Sequence, residues 1–505
     1  MLFQVGVICL VLFLSWRYNQ TRAWLKKFPQ KKGLPVLRNF FQVQVKDHRI
    51  EKLFTEWSKE LGGVFAVQIL NKSFIVLNSF EAIHEALVEK GESFSGRPQQ
   101  SSFRLRYNTR GFSDLVFTNP SPRWKLMRKS AHRHIRMFGS GLKRIEALNL
   151  SAIKELVSEF RRRGTKPFDP RNDIHSAIMN IMTSLLVNRK YKTTDEIFGY
   201  FIEMEKIGNE NLTSSGKGVE LDTFPWLRFF GNSTFKKLEH QRLTRDKLWK
   251  LVKDQVMEDF RQGDKNQAEG LAHVWFKLIE EEPLVEELNA KMSFSNLIIA
   301  GTSTTSNSFY MFLNILSQHP DLQSKLQEEV DSAVGPNRCV SLDDKSRMPL
   351  THATVLEILR YTTVVPLGIP HASLTTTSIS GLSIPPGVQV LNNLWALHHD
   401  DKFWEAPYEF KPERFLDADG DVVSASHPNR KHLMPFGAGP RVCVGEVLAI
   451  GRIFLLVATT SQVFNVDQGP VKVSCDARDY GHGLVLTSED FEIKVNSRND
   501  SLYVD

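Results

Sequence analysis

The chain is poor in cysteine. Cys9, Cys339, Cys443 and Cys475 are the only four in 505 residues, they lie far apart, and no Cys-x-x-Cys pair occurs. That excludes a disulfide framework and a structural zinc site of the usual spacing. There is no internal repeat and no low-complexity tract, which removes repeat architectures. Charge is mild: the formal net charge is +7 and charged residues make up 24%. The basic residues are scattered and no nucleic-acid motif appears, so nucleic acid is excluded as a partner. An acidic partner protein or an anionic membrane surface is compatible with that balance. No flavin or nicotinamide fingerprint is present, so any redox chemistry must draw its electrons from elsewhere.

What the chain does have is bulk and phenylalanine. Its 57.7 kDa allow a large core, and 34 phenylalanines suit an apolar interior or pocket. Leu2–Trp16 is almost wholly apolar and is followed by Arg17, Arg22, Lys26 and Lys27. As a helix it rises roughly 22 Å, short of the roughly 30 Å hydrocarbon core. Charge follows the apolar run and no small-residue cleavage site appears, which argues for an uncleaved anchor over a signal peptide. The positive-inside rule then puts the body of the protein in the cytosol. Asn71, Asn149, Asn211 and Asn232 head N-x-S/T triplets that a cytosolic body would leave unmodified. Residues 1–16 therefore read as membrane anchor, 17–39 as a basic, proline-containing linker, 40–495 as one catalytic domain and 496–505 as a polar, frayed tail.

Val64–Ile69 and Ser73–Leu77 alternate as a hairpin. Residues 91–122 read as a long loop carrying Arg97, Phe103 and Phe112, and such loops are often functional. Trp124 to Phe138 reads as a basic helix with Trp124 and Arg128 on one face. Helical periodicity fills most of 143–334. Phe224 to Phe230 is an aromatic knot, either a core plug or a membrane contact. Met292–Leu316 reads as a long helix with small residues and hydroxyls at Ala300-Gly301-Thr302-Ser303-Thr304-Thr305. Such residues either weaken a turn beside a ligand or let helices pack closely. Glu357 and Arg360, three apart on a helix, face each other; alone they would be a surface salt bridge. Strands and turns follow Pro366.

Cys443 lies in Phe436-Gly-Ala-Gly-Pro-Arg-Val-Cys-Val-Gly445, a glycine-rich loop ahead of an apolar helix. A helix N-terminus favours thiolate, so the loop is a candidate metal cradle. For an isolated Cys-Gly pair, a buried structural cysteine is the commoner reading.

Taken together, these stretches resemble the cytochrome P-450 family of haem-thiolate monooxygenases. Phe436–Gly445 fills the haem-loop pattern F-x-x-G-x-R-x-C-x-G. Glu357–Arg360 fills E-x-x-R, and Pro-Glu-Arg-Phe at 412–415 supplies Arg414. Trp124–Arg128 fills W-x-x-x-R, and Ala300–Thr305 matches the oxygen-binding groove. All five occur in family order. Phe94–Arg97, Arg110–Phe112 and Asn393–Asp400 are more narrowly similar to the animal microsomal members, the drug-metabolising and steroid 17-hydroxylating group.

The resemblance implies a mainly α fold with a smaller β region (α+β). It implies haem b with Cys443 as proximal ligand and Phe436 shielding the sulfur. Arg441, Trp124, Arg128, His371 and Arg97 would reach the propionates, with Ala300 and Gly301 over the distal face. Glu357, Arg360 and Arg414 would be structural. Phe103, Phe112, Leu115, Ile299, Ala300, Val365, Leu367 and Leu484 would line a pocket for a lipophilic substrate (a steroid, fatty acid or xenobiotic). Electrons would come from NADPH through a flavoprotein reductase on the basic surface of Lys125–Arg136, Arg430, Lys431 and Arg441; cytochrome b5 is a second partner the resemblance allows. The location implied is the endoplasmic reticulum membrane. Thr304 matches the distal threonine that steers a proton to oxygen. Ser303 stands where the family has Asp or Glu, and a serine relays a proton without storing one near neutral pH. That departure keeps two alternatives open: a reductase-independent isomerase or dehydratase, and a haem protein without catalysis.

Overall fold

The computed structural model describes residues 23–34, 37–43, 49–70, 72–99, 102–135, 140–212, 219–263, 270–481 and 483–504. The expected anchor, 1–16, lies outside them, as does Arg136. The described part of the expected linker is not free-standing. Leu25 and Phe28 are buried beneath the small sheet, and the Pro29 carbonyl accepts from the Ala66 N–H.

Helix α1 (Ile50–Leu61) leads into strands β1 (Val64–Ile69) and β2 (Lys72–Leu77). Helices α2 (Phe103–Asn108) and α3 (Pro122–Ile135) follow, so the expected loop is partly helical. Then come α4 (Ser140–Arg163), α5 (Arg171–Val187), α6 (Glu196–Leu212), α7 (Val219–Thr223), α8 (Ser233–Gln262) and α9 (Leu271–Glu281). The long helix α10 spans Glu287–Gln318, and α11 (Pro320–Ala333) and α12 (Pro349–Thr362) succeed it. Strands β3 (His371–Ala372), β4 (Thr377–Ile379), β5 (Leu382–Ile384) and β6 (Gln389–Asn392) precede α13 (Glu446–Val463). Strands β7 (Phe464–Gln468) and β8 (Ile493–Ser497) end the order.

The main sheet runs β1-β2-β6-β3, with β2 and β6 parallel and the other pairs antiparallel. Strand alternation sorts its side chains. Phe65, Val67, Phe74, Val76 and Leu391 pack on one face with α1; Ala66, Ile75, Leu77 and Val390 pack on the other. The helical body has two apolar cores joined by α10. Phe309–Leu316 packs with α4, α12 and α13. Phe294–Ile299 packs with α3, α6, α8 and α9.

Two expectations change. The tail does not fray: β8 pairs with β7 to Ser497, and Leu502 and Tyr503 are buried. The Tyr503 hydroxyl bonds Thr459, Gln462 and the Val340 N–H, which fixes the tail's position. The aromatic knot is no core plug. Phe229 and Phe230 are 72% and 77% exposed. Among the described residues one helix, α13, is long and apolar enough to cross a membrane, but it is mostly buried inside the protein.

Candidate active site

The cysteine loop is shaped by glycine. Gly437 and Gly439 have φ of +68° and +66°, the left-handed region that side chains rarely adopt. A Cβ on Gly439 would also lie 1.9 Å from the Leu87 carbonyl oxygen. The loop closes through the Cys443 N–H, which donates to the Phe436 carbonyl at 2.9 Å. Cys443 thus lies deep in the protein with its side chain open to a cavity of ≈ 320 Å³. Burial pushes its thiol above the usual range. The N–H groups of Gly445 and Glu446 and the charge of Arg128 oppose that without cancelling it. Burial thus outweighs the helix N-terminus at this thiol, and a bound cation would favour the thiolate.

Four arginines line the same cavity, Arg97, Arg128, Arg441 and Arg452; the first three lie in the loops and helix around Cys443. Arg97 donates to the carbonyls of Val116, Ile369 and Pro370. Arg128 donates to the Val442 carbonyl. Arg441 donates to Ser95 and Thr118 carbonyls at 2.8 and 2.6 Å, while its Nη1 is buried without a partner. Burial and the neighbouring Arg128 lower the Arg441 guanidinium to about 10. Arg97 is lowered further, by burial and then by Arg441. Asp114 is the carboxylate they share; burial raises it to about 6. So much buried positive charge with an orphaned donor calls for an anion. The set fits a group with two carboxylates.

His371 also lines the cavity. Burial and then Arg97 hold its pKa well below the usual histidine value. In the neutral ring, Nδ1–H donates to the Phe94 carbonyl at 2.7 Å, leaving Nε2 as an acceptor. It donates to a carboxylate only when that carboxylate charges the ring. Trp124 departs from expectation. Its indole N–H is committed to the Leu115 carbonyl at 2.9 Å. Its ring instead lies 4.2 Å from the Arg441 guanidinium carbon and 5.4 Å from that of Arg128, so it positions the arginines by cation–π contact. Arg441 is itself buried and forms no part of an outer basic surface.

Across the cavity stands α10, continuous through the small residues. Its hydroxyls bond back four residues: Ser303 to Ile299 at 2.6 Å and Thr304 to Ala300 at 2.7 Å. Gly301 serves close packing, since a Cβ there would lie 2.4 Å from Met182 Cε of α5. Ile299, Ala300, Gly301, Ser303 and Thr304 all line the cavity, as do Leu115, Val365, Leu484 and Phe436. Three expected pocket residues lie elsewhere. Phe103 on α2 stacks on Tyr107 and meets Phe235 at a tilt. Phe112 is held in the turn that precedes Leu115, with φ +65°. Leu367 packs into the core between α1 and the sheet.

On the proximal side Glu357 and Arg360 form a bidentate pair at 2.7 Å, and both are fully buried. This is no surface bridge. Arg360 also donates to the carbonyls of His398 and Pro407, and Arg414 stands 3.5 Å from Glu357. His398, which sequence reading missed, carries the contact onward: its Nε2 accepts the Met434 N–H at 3.0 Å. Arg452 was missed too. It is buried and donates to the Gly301 carbonyl at 3.2 Å, tying α13 to α10. Neither had a local signal, because each acts on a residue more than thirty positions away.

A cysteine open to a mostly apolar cavity, with arginines waiting for carboxylates, defines a haem-thiolate protein of mainly helical fold. Comparison with known proteins agrees. The family model described as Cytochrome P450 matches residues 28–495. The chain is 32% identical to the steroid 17-alpha-hydroxylase/17,20 lyase of Squalus acanthias, over 88% of this chain and 87% of that protein. It is 33% identical to cytochrome P450 2C8 of Homo sapiens, over 92% and 93%. A solved zebra fish cytochrome P450 structure with progesterone superposes with a TM-score of 0.76 at 27% identity, covering 89% of this chain and 99% of that one. The chain belongs to the cytochrome P450 family. It is a monooxygenase, and its cofactor is haem b on a cysteine thiolate.

Proposed function

We propose that the protein oxidises a lipophilic small molecule of the steroid, fatty acid or xenobiotic type. It would use O₂ and electrons from NADPH relayed by a flavoprotein reductase. The observation that carries this is the opening of the Cys443 side chain onto a cavity whose walls are mostly apolar. Cys443 is the thiolate ligand in this reading, and Arg97, Arg128, Arg441 and His371 hold the propionates. The bound haem supplies oxygen activation, which a thiolate ligand favours by pushing electron density toward iron. Phe436 excludes water from the sulfur. Leu115, Ile299, Ala300, Val365 and Leu484 hold the substrate by apolar contact. The Thr304 hydroxyl turns from the Ala300 carbonyl to hold a proton at the distal face.

Lys125, Lys129, Arg133 and Lys431 are exposed and suit an acidic reductase or cytochrome b5. Phe229 and Phe230, beside Trp226, suit contact with the endoplasmic reticulum membrane together with the anchor in 1–16.

The test is a reduced-plus-CO difference spectrum of the wild type and Cys443→Ser; the thiolate-type band must vanish in the variant. Product formation must then require NADPH and reductase, and reduction must slow as salt rises. Reductase-independent turnover would favour an isomerase or dehydratase instead. Spectral titration with steroids, fatty acids and aromatic xenobiotics identifies the substrate class.

A further inference from the structure

We propose that Glu205 is the proton reservoir of the distal pocket, joined to Ser303 through Asn209 and to solvent through His175. The proposal rests on the oxygenase reading above. Ser303 Oγ lies 3.5 Å from Asn209 Oδ1. Asn209 Nδ2 lies 2.5 Å from Glu205 Oε1. Glu205 Oε2 lies 3.1 Å from His175 Nε2. Three helices, α5, α6 and α10, thus align four polar side chains in a row. Glu205 is buried, and the His175 side chain is 21% exposed. Asn209 and Ser303 are both walls of the cavity, next to Thr304. The row therefore runs from solvent to the place where a proton is consumed. It also supplies what position 303 lacks, because a carboxyl can store a proton and a serine hydroxyl cannot.

Monooxygenation converts a C–H bond, O₂, two electrons and two protons into an alcohol and water. NADPH supplies the electrons through the reductase, and the row supplies the protons. Each proton taken up by the His175 ring passes from Nε2–H to Glu205 Oε2; the carboxyl then turns, and the proton leaves from the oxygen that faces Asn209. With its amide turned over, Asn209 takes the first proton on Oδ1 and passes one from Nδ2 to Ser303, leaving an imidic acid. Turned back, it takes the second on nitrogen and passes the O–H proton on, which restores the amide. Ser303 Oγ, released from the Ile299 carbonyl, accepts each proton and gives up its own toward Thr304.

The experiment uses the full-length holoprotein with reductase, NADPH and progesterone as probe ligand, and measures hydrogen peroxide released per NADPH consumed. Glu205→Gln should raise that ratio several-fold. Ser303→Asp in the Glu205→Gln background should bring it back down, since it places a carboxyl at the wall itself; a merely structural role for Glu205 would not be rescued this way. Oxidation supported by cumene hydroperoxide, which carries its own proton and both oxidising equivalents, should be unchanged in Glu205→Gln. Independently of turnover, melting-temperature shifts of His175→Phe and Glu205→Gln should be non-additive in the double variant. An unchanged peroxide ratio in Glu205→Gln, or no rescue by Ser303→Asp, overturns the relay. A wild type that consumes no NADPH overturns the oxygenase reading, and the relay with it.

Discussion

Arg441 pulls stability and function in opposite directions. Its buried, unpartnered Nη1 costs the apoprotein on the order of 1–3 kcal/mol. The same nitrogen is the natural donor to a propionate. Arg441→Leu removes that cost but also the donors to the Ser95 and Thr118 carbonyls, so apoprotein stability in urea should fall less than haem retention does. A charged hydrogen bond of about 1.5–3 kcal/mol corresponds to roughly ten- to a hundredfold faster haem loss to apomyoglobin. Equal loss of stability and of haem affinity would show that Arg441 is structural only. Trp124 predicts a milder effect through the same residue. Trp124→Phe keeps a ring beneath the guanidinium but frees the Leu115 carbonyl, so haem loss should rise less than in Arg441→Leu.

At the level of elements, the proximal clamp and the cysteine loop are the rigid parts. Breaking the buried Glu357–Arg360 pair leaves an uncompensated charge, a loss of about 3–5 kcal/mol. Glu357→Gln should show that loss in chemical unfolding and should shed haem, because Arg360 reaches the loop through His398. Gly439→Ala should prevent cofactor incorporation outright, since its Cβ meets backbone at Leu87. The CO-difference spectrum reads that loss. These parts were legible beforehand because each motif is contiguous: Phe436–Gly445 and Glu357–Arg360 carry their chemistry within one loop or one turn. Phe103, Phe112 and Leu367 were not, because whether an apolar side chain faces a cavity or a core depends on elements packed far along the chain. Trp124 was found on the correct helix face, yet the partner of its N–H, Leu115, could not be read from spacing. The row from His175 to Ser303 was invisible for the same reason, its members coming from three separate helices.

The whole molecule should be sensitive to acid. Burial, followed by the charge of Arg360, lowers His398 to about 3; burial and then Lys345 lower His352 to about 3. Burial holds His371 and His399 well below the usual value. Below about pH 6.5 the unfolded chain binds protons at these rings and the folded chain does not. Stability is then fully present above that pH and is lost as pH falls from about 6.5 toward 3. Each such ring contributes a slope of about 1.4 kcal/mol per pH unit. Urea unfolding across that window should steepen accordingly, and His352→Gln should remove one ring's share of the slope. A flat profile would mean that the rings titrate equally in both states.

The parallel pairing of β2 with β6, Val76 opposite Leu391, sets a timetable for biosynthesis. The β1–β2 hairpin leaves the ribosome with its inner edge unpaired, and the strand that will cover it follows roughly 300 residues later. At ~5–20 residues per second that edge waits for tens of seconds. An uncovered strand edge invites pairing with another chain. The nascent protein thus has an interval in which a chaperone or the membrane surface must shield residues 72–77, and slower translation of the middle of the chain should raise the aggregated fraction.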